Sequence, residues 1–577
     1  MVHNIDPVVL QNAQKWLTPS FDKDTQNEVK NLIENNPVEL TESFYRSLEF
    51  GTGGLRGIMG VGTNRMNVYT VGMATQGLAN YLKVCYPSQA IKVAVACDPR
   101  NNSDLFAQTT ANVFAANGFT VYLFDSLRPT PELSFTIRHL GCQSGVVVTA
   151  SHNPKEYNGY KAYWKDGAQV IAPHDKNIIE QVNLVLDPTM VRFEGGSGKI
   201  ITIGEDVDSV YLDMIERLSL SKEAVAKHNQ MKIVYTPIHG TGVRLVPAAL
   251  KRYGFTNIIS VPEQNINDGN FPTVLSPNPE EPAALKMAVE MANQTGADLV
   301  MATDPDADRQ AIAVRNDSGE LVLLNGNQSA SLLTYYLCRR WSELGKIHGR
   351  EFVVKTVVTT ELIKRIAASF GVECFDVLTG FKFIADVIAK NEGVKQFIGG
   401  GEESYGYLVG DAVRDKDAVA SLCMAAECAA WAKENGKSLW QLLMELYVEY
   451  GFFKEGMVYI TKKGKEGGEQ IKQMMVDLRA NSPKSICGSL VVQVRDYLSQ
   501  TISCDGQSKP TGLPKSDVLQ FVTSDSTIVS VRPSGTEPKI KFYFGVCEPL
   551  CCASKYAEVA AKLDAKMESI AKELGIK

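Results

Sequence analysis

Three times along the chain the same pattern of apolar and polar positions recurs. A short unbroken apolar run is followed by a stretch with helical spacing that stops at glycine. A second apolar run follows, and later a third that opens into a polar loop. In the first copy these are IKVAVACD (91–98), residues 105–116 with Gly118, TVYLF (120–124), and GVVV closing in TASHNP (149–154). The second copy is KIVYTP (232–237), residues 243–253 with Gly254, NIISV (257–261), and DLVMA (298–302) running into TDPDADR (303–309). The third is EFVVKTV (351–357), residues 361–370 with Gly371, then ECFDV, and QFIGG running into GEESYG (401–406).

Apolar runs this short, alternating with helical stretches, predict buried strands of parallel α/β units. In such sheets ligands bind beyond the carboxyl ends of the strands, where all three polar loops fall. Ahead of the repeats, the first 50 residues read as helices punctuated by Pro19 and Pro37. Behind them, SLVVQVRDY and the alternating run VLQFVTSDSTIVSVRPSGTEPKIKFYFGV predict antiparallel strands, closed by the helical tail ASKYAEVAAKLDAKMESIAKEL. The expected architecture is α/β in four domains: 1–205, 206–324 and 325–450 as similar mixed-sheet α/β domains in tandem, and 451–577 as a smaller α+β domain.

Composition narrows the function. The chain has 577 residues, 44% hydrophobic and 21% charged, with a net charge of −6, so it lacks the basic excess of a nucleic-acid binder. Its twelve cysteines include no C-x-x-C pair, which predicts reduced thiols and no structural zinc. The start MVHNIDPVVL has no basic-then-apolar signal pattern, and no run approaches the roughly 18 apolar residues of a membrane span. A cytoplasmic protein without membrane or nucleic-acid partners is expected.

The loops carry the chemistry. Asp304, Asp306 and Asp308 alternate with Pro305 and Ala307, so an extended loop would present three hard oxygen donors on one side, as Mg²⁺ prefers. A calcium EF-hand also begins D-x-D-x-D, but its sixth position here is Arg309, not glycine, and its twelfth is Arg315, not glutamate. Ser151 follows an apolar strand, with His152, Lys155 and Lys161 bringing positive charge that a phosphorylated serine would need. A capping or plain loop serine is the competing reading. No G-x-S-x-G elbow and no P-loop is present. GTGGLRG (51–57) reads equally as a tight turn or as a phosphate turn with Arg56 reaching the ligand. Glu402 and Ser404 could hold sugar hydroxyls, and RPSGTEPK (532–539) offers an arginine fork and hydroxyls to a phosphate monoester.

In this order and spacing the four loops resemble those of the α-D-phosphohexomutase superfamily, which includes phosphoglucomutases and phosphomannomutases. Their wording lies nearer the branch that includes phosphopentomutases, and the metal loop has Pro305 and Ala307 where many members have glycine. The resemblance implies four domains around a central active-site cleft. It implies that Ser151 is the phosphorylated serine, that Asp304, Asp306 and Asp308 bind Mg²⁺ together with it, and that Lys161, His152 and Arg56 assist catalysis. Arg309, Thr379, Gly380, Lys382, Glu402, Ser404, Lys416, Arg532, Ser534, Gly535 and Thr536 would bind substrate. The implied reaction interconverts the 1- and 6-phosphates of a hexose, glucose or mannose, with glucose 1,6-bisphosphate as activator, in a monomer or homodimer. Pentose phosphates are the alternative substrates, and a non-catalytic sugar-phosphate sensor is the alternative function.

Overall fold

The computed structural model describes residues 5–51, 53–462, 464–534 and 539–576. They form two compact units that interleave along the chain. The first contains residues up to Ala313 together with 388–390 and 406–430; the second contains 314–387, 391–405 and the chain from Trp431 onward.

The first unit opens with three helices, α1 (Pro7–Lys15), α2 (Lys23–Asn35) and α3 (Pro37–Phe44). Each has a side-chain cap, from Asp6, Asp22 and Asn36, and Pro7 and Pro37 stand in first-turn positions where no N–H is missed. Trp16, Phe21 and Phe44 pack around Tyr69, whose hydroxyl donates to Asp22 at 2.7 Å. That cluster ties the preface to the helix α4 (Val68–Cys85).

Behind α4 lies a sheet of β1 (Gly54–Ile58), β2 (Lys92–Cys97), β3 (Thr120–Phe124), β4 (Ser144–Val148), β5 (Tyr157–Trp164) and β6 (Lys199–Ile203), in the order β1-β5-β4-β2-β3-β6. Strand β2 runs parallel to β3 and β4, and β3 to β6, whereas β5 is antiparallel to β4 and β1. The apolar runs are buried on both faces, as a parallel sheet covered by helices requires. In GTGGLRG, Gly51 and Gly54 close a tight turn by exchanging N–H···O bonds of 2.8 and 3.2 Å, and Gly54–Ile58 continues as an edge strand with Arg56 opposite Gly159. The strand that follows the glycine turn is set by tertiary pairing, with Leu55 facing in and Arg56 out.

A second sheet in this unit has the order β10-β9-β7-β8, from β7 (Ile233–Thr236), β8 (Ile258–Ser260), β9 (Leu299–Thr303) and β10 (Gln310–Arg315). In the second unit, after β11 (Leu321–Leu324), strand β12 (Glu351–Thr356) lies between and parallel to β13 (Glu373–Val377) and β14 (Gln396–Gly401). The C-terminal part carries an antiparallel sheet in which Phe452–Thr461 pairs along its length with Lys539–Glu548, followed by the helix Tyr556–Glu573. The helices Thr130–His139, Pro282–Thr295 and Phe381–Asn391, one ahead of each motif-bearing strand, escaped the pattern reading. Among the described residues no helix is long and apolar enough to cross a membrane.

Candidate active site

Strand β4 delivers residues 149–154 beyond its carboxyl end. Ser151 is only 4% exposed and has a φ of 53°. A non-glycine residue there costs about 1–2 kcal/mol, so something must hold the loop. Arg100 does so. One guanidinium nitrogen donates to the Pro154 and Tyr157 carbonyls, both at 2.9 Å, and the other to those of Ser151 and Asn153, both at 2.5 Å. Arg100 is itself braced by Asp98 Oδ2 at 3.2 Å, and the same oxygen accepts from Thr149, whose Oγ1 accepts the Ser151 N–H at 2.8 Å. Charge-assisted hydrogen bonds contribute about 1.5–3 kcal/mol each, enough to offset the strain.

The Ser151 hydroxyl donates to Asp304 Oδ2 at 2.8 Å. Asp304, Asp306 and Asp308 are all at most 1% exposed, and one ligand oxygen from each lies within 4.8 Å of the others. They do not converge by extended alternation, as the sequence suggested. The loop turns, with Ala307 at a φ of 51°, and the turn gathers the carboxylates. Gly240 and Thr241 support it from below: the Thr241 N–H donates to the Pro305 carbonyl at 2.8 Å, and a Cβ on Gly240 would stand 2.6 Å from Pro305 Cα. Thr130, at the start of its helix, donates its hydroxyl to Asp306 Oδ2 and its N–H to the Asp306 carbonyl, both at 2.9 Å.

Two carboxylates this close repel by roughly 3–4 kcal/mol at an effective dielectric constant near 20. Burial and then the Asp306 and Asp308 charges push Asp304 well above the usual carboxylate range. Burial also raises Asp306, but the Lys161 ammonium more than offsets this and leaves it below its ordinary value. Asp306 Oδ1 and Asp308 Oδ1 are buried and accept no hydrogen bond among the described residues. Three hard oxygens, two of them unsatisfied, fit a small divalent cation such as Mg²⁺.

Cations surround this triplet. Lys161 Nζ, on β5, is 2.7 Å from Asp306 and 3.4 Å from Asp308. Although burial opposes it, these carboxylates hold the ammonium charged beyond its ordinary range. Lys416 lies on Asp308 at 3.1 Å and Asp415 at 2.9 Å. Arg309 donates to Glu280 at 2.6 Å, and Arg56 reaches Asn153 at 3.4 Å. His152 does not bring the positive charge expected of it. Burial first, then Arg309 and Arg56, pull its pKa down to about 2, so the imidazole 3.3 Å from Ser151 Oγ is neutral.

The second unit holds the remaining candidates. Glu402 Oε1, just beyond β14, accepts the Gly380 N–H at 2.9 Å. Gly380 has a φ of 121°, which a side chain would not tolerate comfortably. Thr379 Oγ1 beside it is buried and makes no hydrogen bond among the described residues. The Lys382 ammonium lies over the Phe383 ring at 5.5 Å, and Ser404 is half-buried in the bend after Glu402. Glu403 is a structural neighbour, accepting from Thr356 and Thr359. Tyr543 couples this loop to Arg532: burial, then Glu403, pushes its pKa up to about 12, with Arg532 opposing and Glu402 adding to the rise. The Ser534 N–H donates to the Lys539 carbonyl at 2.7 Å, while Gly535 and Thr536 lie outside the described residues.

Arg100, Asp98 and Thr130 were missed from sequence. DPR at 98–100 follows an apolar strand just as the chosen loops do, so the strand-end rule could have found it.

Comparison with known proteins agrees with this arrangement. Models of the phosphoglucomutase/phosphomannomutase family match in series: alpha/beta/alpha domain I at residues 47–185, domain II at 209–319, domain III at 325–450 and the C-terminal domain at 475–562. A phosphoglucomutase of Staphylococcus aureus (strain USA300) is 37% identical over 544 residues, covering 94% of this chain and 96% of its own. One from Staphylococcus haemolyticus is 35% identical over 511 residues, covering 88% and 91%. In fold, the chain is similar to parafusin, a phosphoglucomutase from Paramecium (TM-score 0.67, 16% identity, 92% and 96% coverage). It is also similar to a phosphoglucomutase/phosphomannomutase family protein from Burkholderia thailandensis (TM-score 0.64, 18% identity, 90% and 97% coverage). With four family domains in order and a relative matched almost end to end, the chain belongs to the phosphoglucomutase/phosphomannomutase family.

Proposed function

We propose that this protein is a cytoplasmic phosphohexose mutase that interconverts the 1- and 6-phosphates of glucose through a phosphorylated Ser151. The observation that carries this reading is the strained, buried Ser151 hydroxyl, 2.8 Å from a carboxylate of a triplet with two unsatisfied oxygens. A sensor has no need of such a pairing, and a hydrolase gains little from residues that grip the far end of a sugar phosphate.

In the proposed reaction the bond between phosphorus and Ser151 Oγ breaks as a sugar hydroxyl bonds to phosphorus. Lys161 gives a proton to the leaving Ser151 Oγ and takes up the one the sugar hydroxyl loses, neutral His152 orients Ser151 Oγ, and the reverse transfer from the other end of the bisphosphate restores phospho-Ser151. Asp304, Asp306 and Asp308 would hold Mg²⁺, which neutralises charge on the transferring phosphoryl group when bound. Lys161, kept charged by Asp306 and Asp308 between these proton transfers, also stabilises the same charge. Arg309 leaves Glu280 for the phosphoryl group, and Arg56 assists it. In the second unit, Glu402, Ser404 and Thr379 bind sugar hydroxyls, Gly380 shapes their loop, and Lys382, Arg532 and Ser534 grip the non-reacting phosphate, with Gly535 and Thr536. Glucose 1,6-bisphosphate would rephosphorylate enzyme that has lost its phosphoryl group.

The test is a coupled assay with Mg²⁺ and a trace of glucose 1,6-bisphosphate, offering glucose 1-phosphate, mannose 1-phosphate and ribose 1-phosphate in parallel. Fast turnover of glucose 1-phosphate that disappears in Ser151→Ala is expected. Preference for ribose 1-phosphate would move the substrate to pentoses, and binding without turnover in the wild type would favour a sensor.

A further inference from the structure

Cys551 and Cys552 take no part in the chemistry above. They follow the strand Lys539–Glu548 and precede the short turn Ala553–Lys555, and both are exposed. Successive side chains of an extended segment point to opposite faces, which ordinarily separates neighbouring cysteines. Here the two sulfurs stand 3.8 Å apart. Two thiolates bound to one pyramidal centre at about 2.3 Å stand ~3.5 Å apart, so the pair is within a few tenths of an ångström of the spacing of a shared ligand.

The surroundings favour capture. Cys552 Sγ is 3.2 Å from Ser554 Oγ. That hydroxyl, and after it Cys551, draws the Cys552 thiol below its ordinary range, towards the thiolate that reacts and ligates. Cys97, Cys142, Cys338 and Cys374, by contrast, are pushed up to about 12 by burial. Cys551 also lines a cavity of about 550 Å³ shared with Arg365, Tyr450, Gly451, Cys547 and Lys555, which leaves room for an organic substituent on the bound centre.

We propose that Cys551 and Cys552 form a dithiol site that captures one soft, thiophilic centre of the organoarsenic(III) class. Soft thiolates select such centres over the hard cation suited to the Asp triplet. With phenylarsine oxide as the probe, the arsenic–oxygen bond is replaced by two arsenic–sulfur bonds. Both thiol protons leave with the oxygen as water, and no oxidant or reductant is needed.

The experiment is intact-mass spectrometry of the full-length protein with phenylarsine oxide. One phenylarsenic group should bind per chain, survive excess glutathione and be released by 2,3-dimercaptopropanol. Cys551→Ser and Cys552→Ser should each abolish that resistant adduct while sugar-phosphate turnover stays at the wild-type rate. In the wild type, the arsenical should protect the peptide carrying Cys551 and Cys552 from iodoacetamide, which reads the site even where a variant folds poorly. Three outcomes would overturn the proposal: no adduct, an adduct released by glutathione, or protection of a different cysteine peptide.

Discussion

The loops of the first unit and those of the second meet opposite demands. Around Ser151 and the aspartates the backbone and the charged groups are held by several contacts each: Arg100 binds four carbonyls, Thr130 holds Asp306 through two hydrogen bonds, and Lys161 bridges two carboxylates. In the second unit Ser404, Arg532 and Ser534 are only half-buried. Phosphoryl transfer needs reacting atoms fixed to a fraction of an ångström, and misplacement by about 1 Å costs about a hundredfold in rate. Recognition of a sugar phosphate that presents first one end and then the other needs a surface that accepts both. One region is built for position, the other for tolerance.

The contrast breaks most visibly at the triplet. Asp304→Asn should lower kcat by about a thousandfold. In chelator the same change should raise the thermal midpoint by about 2–4 °C, because it removes one of three mutually repelling carboxylates. Steady-state kinetics and calorimetry read the two effects, and an unchanged midpoint would mean that the carboxylates do not strain the apo fold.

Arg100→Lys comes next. A lysine cannot span four carbonyls, so kcat should fall about a hundredfold with KM little changed. A rise in KM instead would move Arg100 to the recognition side of the comparison.

The third prediction concerns pH. Asp417 accepts the Ala420 N–H and the Tyr211 hydroxyl, both at 2.9 Å, and burial raises its pKa from 3.8 to about 6. The folded state therefore keeps this proton to higher pH than the unfolded chain. Its contribution to stability is largest below about pH 4 and is lost as pH rises through about 6, a fall of the order of 2–3 kcal/mol. Urea melts should show that slope in the wild type and a flatter one in Asp417→Asn.

Glu402→Gln tests the tolerant side. It should raise KM about tenfold, about 1.4 kcal/mol, and leave kcat nearly intact, which steady-state kinetics would show. A kcat loss as large as that of Arg100→Lys would end the distinction between the regions. Smallest of all, Ala307→Gly should stabilise the fold by about 1 kcal/mol in denaturant melts by relieving its left-handed backbone.

Much of this was legible in sequence because it is local. The apolar runs that became β2, β4, β7, β9, β12 and β14 announce themselves by their length and their flanking helices. Ser151, the aspartates and Glu402 sit where such strands end, and the order of their loops identified the family. Residue type alone also showed which groups could bind a hard cation.

The remainder required the fold, because it depends on groups far apart in the chain. The second half of GTGGLRG, Gly54–Ile58, is a strand only because β5 pairs with it. Nothing in TASHNP reveals that Arg100, 51 residues away, sets the backbone of Ser151. The neutral state of His152 follows from burial among charges delivered by separate segments, and Lys416 turns to Asp308 because the triplet's negative charge draws it there. Strand ends and donor types are properties of neighbouring residues. Pairing, burial and charge state belong to the packed molecule, and only the tertiary structure decided them.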